Sequence, residues 1–261
     1  MEGVLNKNER FPLGGNPGRE RGLEPIITVK NLVKKFGSFT ANDNLTFDVY
    51  KGEIFGFLGA NGAGKTTAIR ILCGLSAPTS GEVKVAGFDI YHETEKIKKN
   101  IGYMSQKFSL YEDLTATENI QFYSGIYGIS PKKRKEKEAE LLEKLEMESA
   151  RKKLISGLPM GWKQKLAFSI AIFHGPKIVF LDEPTGGVDP VTRRKFWDLI
   201  YEAAHKGITV FVTTHYMDEA EYCDRVSIMD AGKIEALDTP ANLKEKYNAK
   251  NMDEVFIQIA R

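Results

Sequence analysis

The chain has 261 residues, and 42% of them are hydrophobic, which suits one large α/β domain with a buried core. Its formal net charge is only +2, so no global positive field recruits nucleic acid, and none is expected as a partner. No stretch approaches the roughly 18 uninterrupted apolar residues of a membrane span, and the first residues include no hydrophobic signal region. Cys73 and Cys223 are far apart in sequence, so both are expected to pack as small apolar groups in a reducing compartment.

Residues 1–24 contain many glycine, asparagine and arginine residues and have no hydrophobic period. They are predicted to be a disordered extension or the remnant of a linker. Order is expected to begin near Ile26, where Ile26–Val29 indicates a strand. The short strands and turns from there to about Gly87 are typical of a small antiparallel sheet.

A glycine-rich segment, Gly59–Thr66, matches the phosphate-loop pattern G-x-x-x-x-G-K-[ST] in full. The apolar run 54–58 precedes it and a helix-compatible segment follows it, as such a loop requires. Gly62 and Gly64 let backbone N–H groups surround phosphates, and the dipole of the following helix favours the same anion. The motif therefore predicts binding of a nucleoside triphosphate. The predicted contacts in this loop are Gly59, Ala60, Asn61, Gly62, Ala63, Gly64, Lys65, Thr66 and Thr67.

Hydrolysis of the bound nucleotide would need a metal site and a base. Lys65 is expected to reach the β- and γ-phosphates, and the Thr66 hydroxyl to bind Mg²⁺. A second apolar run, 177–181, ends in Asp182 and Glu183. Asp182 is predicted to hold Mg²⁺ through water, and Glu183 to polarise the attacking water for transfer of the γ-phosphoryl group. A site with one carboxylate for the metal and a second for the attacking water favours hydrolysis of the nucleotide over binding alone.

Residues 108–163 change to a helical pattern. Thr115–Glu118 is a capping box before the first helix. Ser130–Pro131 predicts a second helix, with serine as its cap and proline at its first position. The basic run 132–135 could be a nucleic-acid patch, but acidic residues such as Glu138 follow it. A solvated amphipathic helix is therefore favoured.

From about Trp162, helices and apolar strands alternate again, with strands expected at 177–181, 208–214 and 225–229. This alternation favours a parallel sheet flanked by helices. The chain after about residue 239 is predicted to form a small helical cap. No internal repeat is visible, which indicates one nucleotide-binding unit rather than a fused pair.

Further motifs make the chain resemble the ATP-binding subunit of an ABC transporter from about Ile26 to the C-terminus. The resemblance implies that the ring of Phe36 stacks on adenine. It implies that Gln106, in Tyr-Met-Ser-Gln, senses Mg²⁺ and the membrane partner. His215, after a strand-like run, would be the switch histidine that contacts the γ-phosphate. Asp189, in Gly-Val-Asp-Pro, would lie in the loop that crosses the dimer interface.

The resemblance also implies a fold, a RecA-like α/β P-loop core with an antiparallel β subdomain and an inserted helical subdomain. The expected limits are an extension at 1–24, an ABC ATPase cassette at 25–247 with its helical subdomain at about 108–163, and a tail at 248–261. Two such subunits, identical or different, would close head to tail around two ATP molecules. They would act on integral membrane permease subunits from the cytoplasmic face of the cell membrane, with segment 107–114 as the docking site.

The segments Leu181–Thr185 and Thr214–Ala220 are most similar to the subfamily that serves exporters of drugs, ions or surface glycans. One alternative is a soluble ABC ATPase of DNA repair or translation, although the usual coiled coil, zinc-binding cysteines or second cassette are missing from the sequence. Another is a weakly hydrolysing nucleotide sensor. A GTPase is disfavoured, because Asn6–Glu9 only partly matches the guanine motif N-K-x-D and precedes the phosphate loop.

One motif departs from the family pattern. The family signature, L-S-G-G-Q, opens a helix that contacts the γ-phosphate bound to the opposite subunit. Here the stretch is Leu158–Trp162, in which Pro159 replaces serine, Met160 replaces the first glycine, and Gly161 remains as the contact in trans. Proline lacks the N–H group but is tolerated at a helix start. A displaced start at Ser156–Gly157 is the less favoured register, and a working variant is favoured over a degenerate site.

Overall fold

The computed structural model describes residues 24–107 and 110–259. The predicted extension at 1–24, apart from its last residue, and the partial guanine motif Asn6–Glu9 lie outside the described residues. Within the described ranges the chain forms a four-stranded and a six-stranded sheet with helices around them. None of the helices in those ranges combines the length and the apolar character needed to cross a bilayer.

The strands are β1 (Pro25–Phe36), β2 (Phe39–Tyr50), β3 (Ile54–Gly59), β4 (Ser80–Val85), β5 (Phe88–Asp89), β6 (Ile101–Met104), β7 (Ile178–Asp182), β8 (Thr209–Thr214), β9 (Arg225–Asp230) and β10 (Lys233–Asp238). The α-helices are α1 (Lys65–Leu72), α2 (Thr94–Asn100), α3 (Ala116–Ile126), α4 (Pro131–Lys144), α5 (Met160–Ile172), α6 (Pro190–His205), α7 (Pro240–Lys246) and α8 (Met252–Ile259). Short 3₁₀ turns are Glu148–Ala150, Ile155–Gly157 and Met217–Tyr222.

The larger sheet has the order β10-β9-β3-β8-β7-β6, and its pairs are parallel except for the β9–β10 hairpin. Every residue of β3, β7 and β8 is buried, which explains why these strands are mostly apolar. The predicted parallel sheet is thus confirmed. Because its strands are parallel, their carboxyl ends meet at one edge, where ligands bind in open α/β sheets.

The smaller sheet has the order β2-β1-β4-β5 and is antiparallel throughout, which confirms the predicted antiparallel subdomain. Phe47 of β2 joins it to the larger sheet. Its ring lies 5.7 Å from that of Phe55, 5.5 Å from that of Phe57 and 6.2 Å from that of Phe211. Aromatic pairs at such distances add to the energy of burial, so the two sheets share one aromatic layer.

The capping box before α3 is confirmed. Thr115 Oγ1 accepts a hydrogen bond from the Glu118 backbone N–H, and the Glu118 carboxylate accepts one from the Thr115 N–H. The second helix begins at Pro131 with Ser130 as its N-cap residue, as predicted, although the Ser130 side chain makes no capping hydrogen bond. The Ser130 carbonyl instead accepts the N–H of Arg134, and proline supplies the helical φ at the first position.

The α4 helix corrects one further prediction. Glu138 was expected on a solvated face, but only 3% of its side chain is exposed. Its carboxylate accepts hydrogen bonds from Arg151 Nη2 and Thr117 Oγ1, each at 2.9 Å. A carboxylate can be buried when it is both paired and hydrogen-bonded, so Glu138 connects α4 to the rest of the helical region.

The helices after residue 239 confirm the predicted helical cap. Thr239 Oγ1 caps α7 by accepting the N–H of Asn242, and Met252 and Val255 of α8 are buried. The predicted boundary at residue 247 stays a prediction, although α8 packs onto the same core. Cys73 and Cys223 are buried thiols, in agreement with their expected role as small packing groups.

Candidate functional site

The carboxyl ends of four parallel strands bring the main predicted site residues together. The phosphate loop follows β3, Gln106 follows β6, Asp182 ends β7 with Glu183 next to it, and His215 follows β8. These strands are neighbours in the sheet, so short loops are enough to hold their side chains within contact distance. The structure thus brings these residues together, while the role of each in binding or hydrolysis stays a prediction.

The phosphate loop needs glycine for two physical reasons. Gly62 and Gly64 have φ of +85° and +101°, a left-handed backbone that other residues rarely adopt. A Cβ at Gly64 would lie 2.3 Å from the carbonyl oxygen of Ala41, so no side chain fits there. Gly64 is also the N-cap of α1, which places the positive end of that helix at the loop.

The loop is held from outside by the β9–β10 turn and by β2. The N–H of Gly232 donates to the carbonyl of Ala63 at 3.2 Å, and the carbonyl of Gly232 accepts from Asp43 N at 2.8 Å. Asn42 Nδ2 donates to the carbonyl of Gly64 at 3.1 Å. Both sheets therefore fix the position of the phosphate loop.

Lys65 lies between the loop and the second acidic strand end. Its side chain is only 4% exposed, and Nζ donates to the carbonyls of Gly59 at 2.8 Å and Ala60 at 3.1 Å. Glu183 Oε1 lies 3.4 Å from the same nitrogen. An ammonium has three donors, so two of them fix the side chain on the loop and the remaining one is available on the side of Glu183.

Asp182 and Thr66 form the pair predicted to hold Mg²⁺. Thr66 Oγ1 donates to Asp182 Oδ1 at 3.2 Å, and Thr213 Oγ1 donates to the same oxygen at 2.8 Å. Burial raises the pKa of Asp182, and hydrogen bonds from both hydroxyls oppose that shift. Adjacent hydroxyl and carboxylate oxygens fit Mg²⁺, which takes one or two protein ligands besides phosphate oxygens. Within the described ranges no cluster of three His, Cys, Asp or Glu residues offers a separate metal cage.

Glu183 is the most connected acid of the site. Gln106 Nε2 donates to its Oε2 at 3.1 Å, and His215 Nδ1 lies 3.1 Å from the same oxygen, opposite Lys65 on Oε1. Its φ of +49° lies in the left-handed region, which is uncommon for residues other than glycine. Two hydrogen bonds from the Glu183 N–H, to Thr213 O and Thr213 Oγ1, hold this conformation. Such strain is typical of functional sites.

A cavity of about 440 Å³ opens onto the loop and reaches Gln106 and Glu183. The aromatic ring in its lining is that of Phe39, which sequence reasoning missed. Phe36 pairs with Phe39 across the β1–β2 hairpin and is 55% exposed, with Lys34 Nζ 4.9 Å from its ring centre. The sequence does show both rings, since Phe36 and Phe39 flank one tight turn. The family pattern, however, assigns the stacking role only to Phe36.

The two rings can be separated by measuring nucleotide affinity. We expect Phe36→Ala to weaken ATP binding about 5- to 150-fold, because stacking a base on an aromatic ring contributes about 1–3 kcal/mol. Inorganic tripolyphosphate, which has no base, should bind the variant as it binds the unmodified chain. Titration calorimetry of Phe36→Ala and of Phe39→Ala, each with ATP and with tripolyphosphate, checks this. If only Phe39→Ala weakens ATP binding, the assignment of Phe36 is wrong and Phe39 is the stacking ring.

Asp189 and Gly161, both predicted to act across a dimer, have contacts within the chain. Asp189 Oδ1 caps α6 by accepting the N–H groups of Val191 and Thr192, each at 3.0 Å. The hydrogen bonds from Thr192 keep the pKa of the exposed Asp189 carboxyl below its usual value. A Cβ at Gly161 would lie 2.6 Å from Thr192 Cγ2, so α5 and α6 approach closely there. Neither residue lines the cavity, and their contacts in trans stay predictions.

The unusual signature stretch forms the start of α5. The helix begins at Met160, with Pro159 at the N-cap, and the Pro159 carbonyl accepts from Trp162 N at 3.0 Å and Lys163 N at 3.1 Å. The helix thus starts in the register of Pro159 and not at Ser156. Pro159 has no side chain that can cap the helix, so its side chain does not occupy the N–H groups of Met160 and Gly161.

Comparisons with known proteins agree with this geometry. The ABC transporter family model matches residues 42–186. The probable multidrug ABC transporter ATP-binding protein YbhF of Escherichia coli (strain K12) is 46% identical over 250 residues, which is 94% of this chain and 42% of that protein. The linearmycin resistance ATP-binding protein LnrL of Bacillus subtilis (strain 168) is 37% identical over 233 residues, which is 89% of this chain and 75% of that protein. The chain thus spans less than half the length of YbhF.

Solved structures share the fold. The ATP-binding subunit of an ABC transporter has a TM-score of 0.81 at 26% identity, covering 90% of this chain and 99% of that one. The dimeric post-hydrolysis ATP-binding cassette MJ0796, bound to ADP and Pi, has a TM-score of 0.74 at 28% identity, covering 82% and 98%. The architecture is therefore a RecA-like P-loop fold. The chain belongs to the ABC transporter family and is one of its ATP-binding cassettes.

Proposed function

We propose that this chain hydrolyses ATP at the described site and that turnover powers an integral membrane exporter. One observation carries the proposal. Glu183 contacts Lys65, Gln106 and His215, while the adjacent Asp182 pairs with Thr66. Two neighbouring carboxylates thus have separate partners, as a metal ligand and a general base require.

Each residue of the site would have a separate role in hydrolysis. Backbone N–H groups of the phosphate loop bind the phosphates, and Lys65 donates to the β- and γ-phosphates. Thr66 and Asp182 would hold Mg²⁺, which neutralises charge on the phosphate oxygens when bound. Glu183 accepts the proton of the attacking water, while the Gln106 amide and the His215 ring orient its carboxylate.

The exporter part of the proposal is supported by the relatives. YbhF is named a probable multidrug transporter protein, and LnrL a linearmycin resistance protein. The MJ0796 cassette is a dimer after hydrolysis, which supports a second nucleotide-binding subunit for this chain. The partner would be an integral membrane permease, so the chain would act at the cytoplasmic face of the cell membrane.

The predicted docking segment 107–114 is described only in part. Phe108 and Ser109 lie outside the described residues. Tyr111 is 48% exposed, and its ring packs 4.8 Å from that of Phe122 in α3. This aromatic pair presents an exposed apolar contact, which supports the proposal that a membrane subunit docks there.

Two measurements test the proposal. The purified chain should release phosphate from ATP with Mg²⁺ and not with EDTA. A tagged chain expressed in its native host should copurify with a polytopic membrane protein after extraction of the membranes with detergent. Copurification with nucleic acid or ribosomes instead would favour a soluble ABC ATPase. Tight ATP binding without phosphate release would favour a nucleotide sensor.

The altered signature yields a prediction about dimerisation. The double change Pro159→Ser with Met160→Gly adds a hydroxyl and an N–H donor. It should tighten ATP-dependent dimerisation by at least about 10- to 150-fold, the range expected when only one of these donors reaches the phosphate. Each bond to a phosphate is worth about 1.5–3 kcal/mol in good geometry. Sedimentation in a Glu183→Gln background with ATP measures this effect, and ADP should not reproduce it.

Pro131→Ser, at the exposed start of α4, provides the matched control and should leave dimerisation unchanged. An unchanged or weaker dimer after the signature change would contradict the prediction. It would show that this stretch already reaches the γ-phosphate through Gly161 and the dipole of α5.

A further inference from the structure

A buried carboxylate, Glu219, lies close to the nucleotide site and has no role in the reaction proposed above. It belongs to the 3₁₀ turn Met217–Tyr222, which follows His215, and 0% of its side chain is exposed. Its Oε1 accepts a hydrogen bond of 2.5 Å from Thr185 Oγ1, and Arg193 Nε lies 3.6 Å from the same oxygen. One acid thus contacts two other segments of the chain.

The burial of this acid is costly. Burial raises the pKa of Glu219, and the hydrogen bond from Thr185 together with the charge of Arg193 only partly opposes the shift. Replacing a buried ion pair by apolar groups is often neutral or stabilising. Stability of the fold alone therefore gives no reason for an acid here, whereas acids with shifted pKa values are typical of functional sites.

The first contact of Glu219 reaches the catalytic acid along the backbone. Thr185 is two residues after Glu183, and its side chain is buried. The N–H of Gly186 donates to the Glu183 carbonyl at 3.2 Å, so this stretch is a tight turn. The hydrogen bond from the Thr185 hydroxyl therefore restricts the backbone of this turn. It thereby also restricts the left-handed backbone conformation of Glu183.

The second contact reaches the switch histidine through stacked side chains. The Arg193 guanidinium lies 4.0 Å from the ring centre of Tyr216, and that ring lies 4.1 Å from the ring of His215. Asp218 Oδ2 accepts a hydrogen bond from Arg193 Nη1 at 3.4 Å. Arg193 stands in the first turn of α6, where its N–H donates to the Asp189 carbonyl. Glu219 thus acts on the histidine side of the site through Arg193.

We propose that Glu219 is a positioning residue for hydrolysis. It joins the turn after Glu183 to the segment that carries His215, and so keeps those two side chains at their separation of 3.1 Å. The inference rests on the proposed function, because it assigns Glu219 a task in the same reaction. It adds a residue that does not line the nucleotide cavity.

Glu219→Gln tests the inference. The change keeps the size of the side chain but removes the charge that faces Arg193. We expect kcat to fall about 10- to 100-fold, since misplacement of a reacting group by about 1 Å can have effects of that size. The KM for ATP and the thermal midpoint should stay near those of the unmodified chain, because the loss concerns the reaction step. Glu221→Gln, on the same turn and paired with Lys244 at 2.7 Å, is the matched control.

Thr185→Val gives a second, independent variant, because it removes only the hydroxyl and leaves the Glu219–Arg193 pair in place. It should also lower kcat. In the double variant, the fold-decrease in kcat should be smaller than the product of the fold-decreases in the two single variants. Multiplicative losses, an unchanged kcat in both variants, or parallel losses of kcat and ATP affinity would overturn the inference. A wild-type chain without Mg²⁺-dependent phosphate release would overturn the proposed function itself, and this inference with it. Normal release by the wild type and both variants would overturn this inference alone.

Discussion

Glu183→Gln should keep ATP binding and lose almost all hydrolysis, with a decrease in kcat of about 10²–10⁴-fold. Glutamine has nearly the same size and tolerates the same backbone, but its amide cannot accept the proton of the attacking water. Gln106, Lys65 and His215 remain in place around the substituted side chain. ATP should therefore accumulate in the site and hold the proposed dimer closed. Phosphate release and equilibrium binding of ATP, measured on the same preparation, check this result.

Glu82→Gln is a matched control, because that carboxylate is 76% exposed on β4 and its nearest cation, Lys30, is 3.7 Å away at the surface. It should hydrolyse ATP as the unmodified chain does. Near-normal turnover by the Glu183 variant would remove this residue from the role of base. Asp182 would then be the next candidate, since its Oδ1 accepts a hydrogen bond from Thr66 of the phosphate loop.

Lys65→Ala should fail at the preceding step, with ATP affinity lowered about 10- to 150-fold. A charge-assisted bond to a phosphate is worth about 1.5–3 kcal/mol, and each 1.4 kcal/mol is a factor of ten. The structure adds a second reason. The Lys65 ammonium also holds the carbonyls of Gly59 and Ala60, so its removal loosens the loop that surrounds the phosphates. Titration with ATP and with ADP checks both effects.

Arg70→Ala is the control for the loss of positive charge, because Arg70 lies on the exposed side of the same helix, α1. Its affinity for ATP should stay unchanged. Unaltered affinity in the Lys65 variant would show that this lysine does not bind the phosphates. Since the Lys65 and Glu183 variants should fail at different steps, the two measurements together separate binding from hydrolysis.

The convergence of the site was predictable from the sequence because parallel strands place their carboxyl ends at one edge. The apolar runs before Gly59, Asp182 and His215 identify the strands, and the polar residue after each run identifies its end. Short loops then leave little freedom for the side chains that follow. The parallel sheet needed no more than this local information, whereas the RecA-like fold and the roles of Gln106 and His215 were implied by the resemblance to a known family.

Other features depend on contacts between residues far apart in sequence, and no local pattern reveals them. Thr185 and Glu219 are 34 residues apart, and Arg151 and Glu138 meet only because α4 turns one face inward. The sequence shows acidic side chains in both cases, but it does not show which of them have a buried partner. Phe39 was missed for a related reason, since the geometry of a hairpin decides which of two nearby rings faces the cavity.

The β9–β10 turn also limits where this protein can be labelled. Short surface hairpins are usually chosen for epitope tags or fluorophores, because inserted residues there seldom disturb a core. Here the N–H of Gly232, at the turn, donates a hydrogen bond to the Ala63 carbonyl, and the Gly232 carbonyl accepts one from the Asp43 N–H. An insertion would break both contacts and release the phosphate loop on one side, so a reporter at this turn would alter the nucleotide affinity that it was meant to monitor. The exposed end of the β4–β5 hairpin is the better place for an inserted probe, because nothing lies within 4 Å of a side chain built at Gly87. Gly87 itself should be kept, since its φ of +86° would strain any other residue.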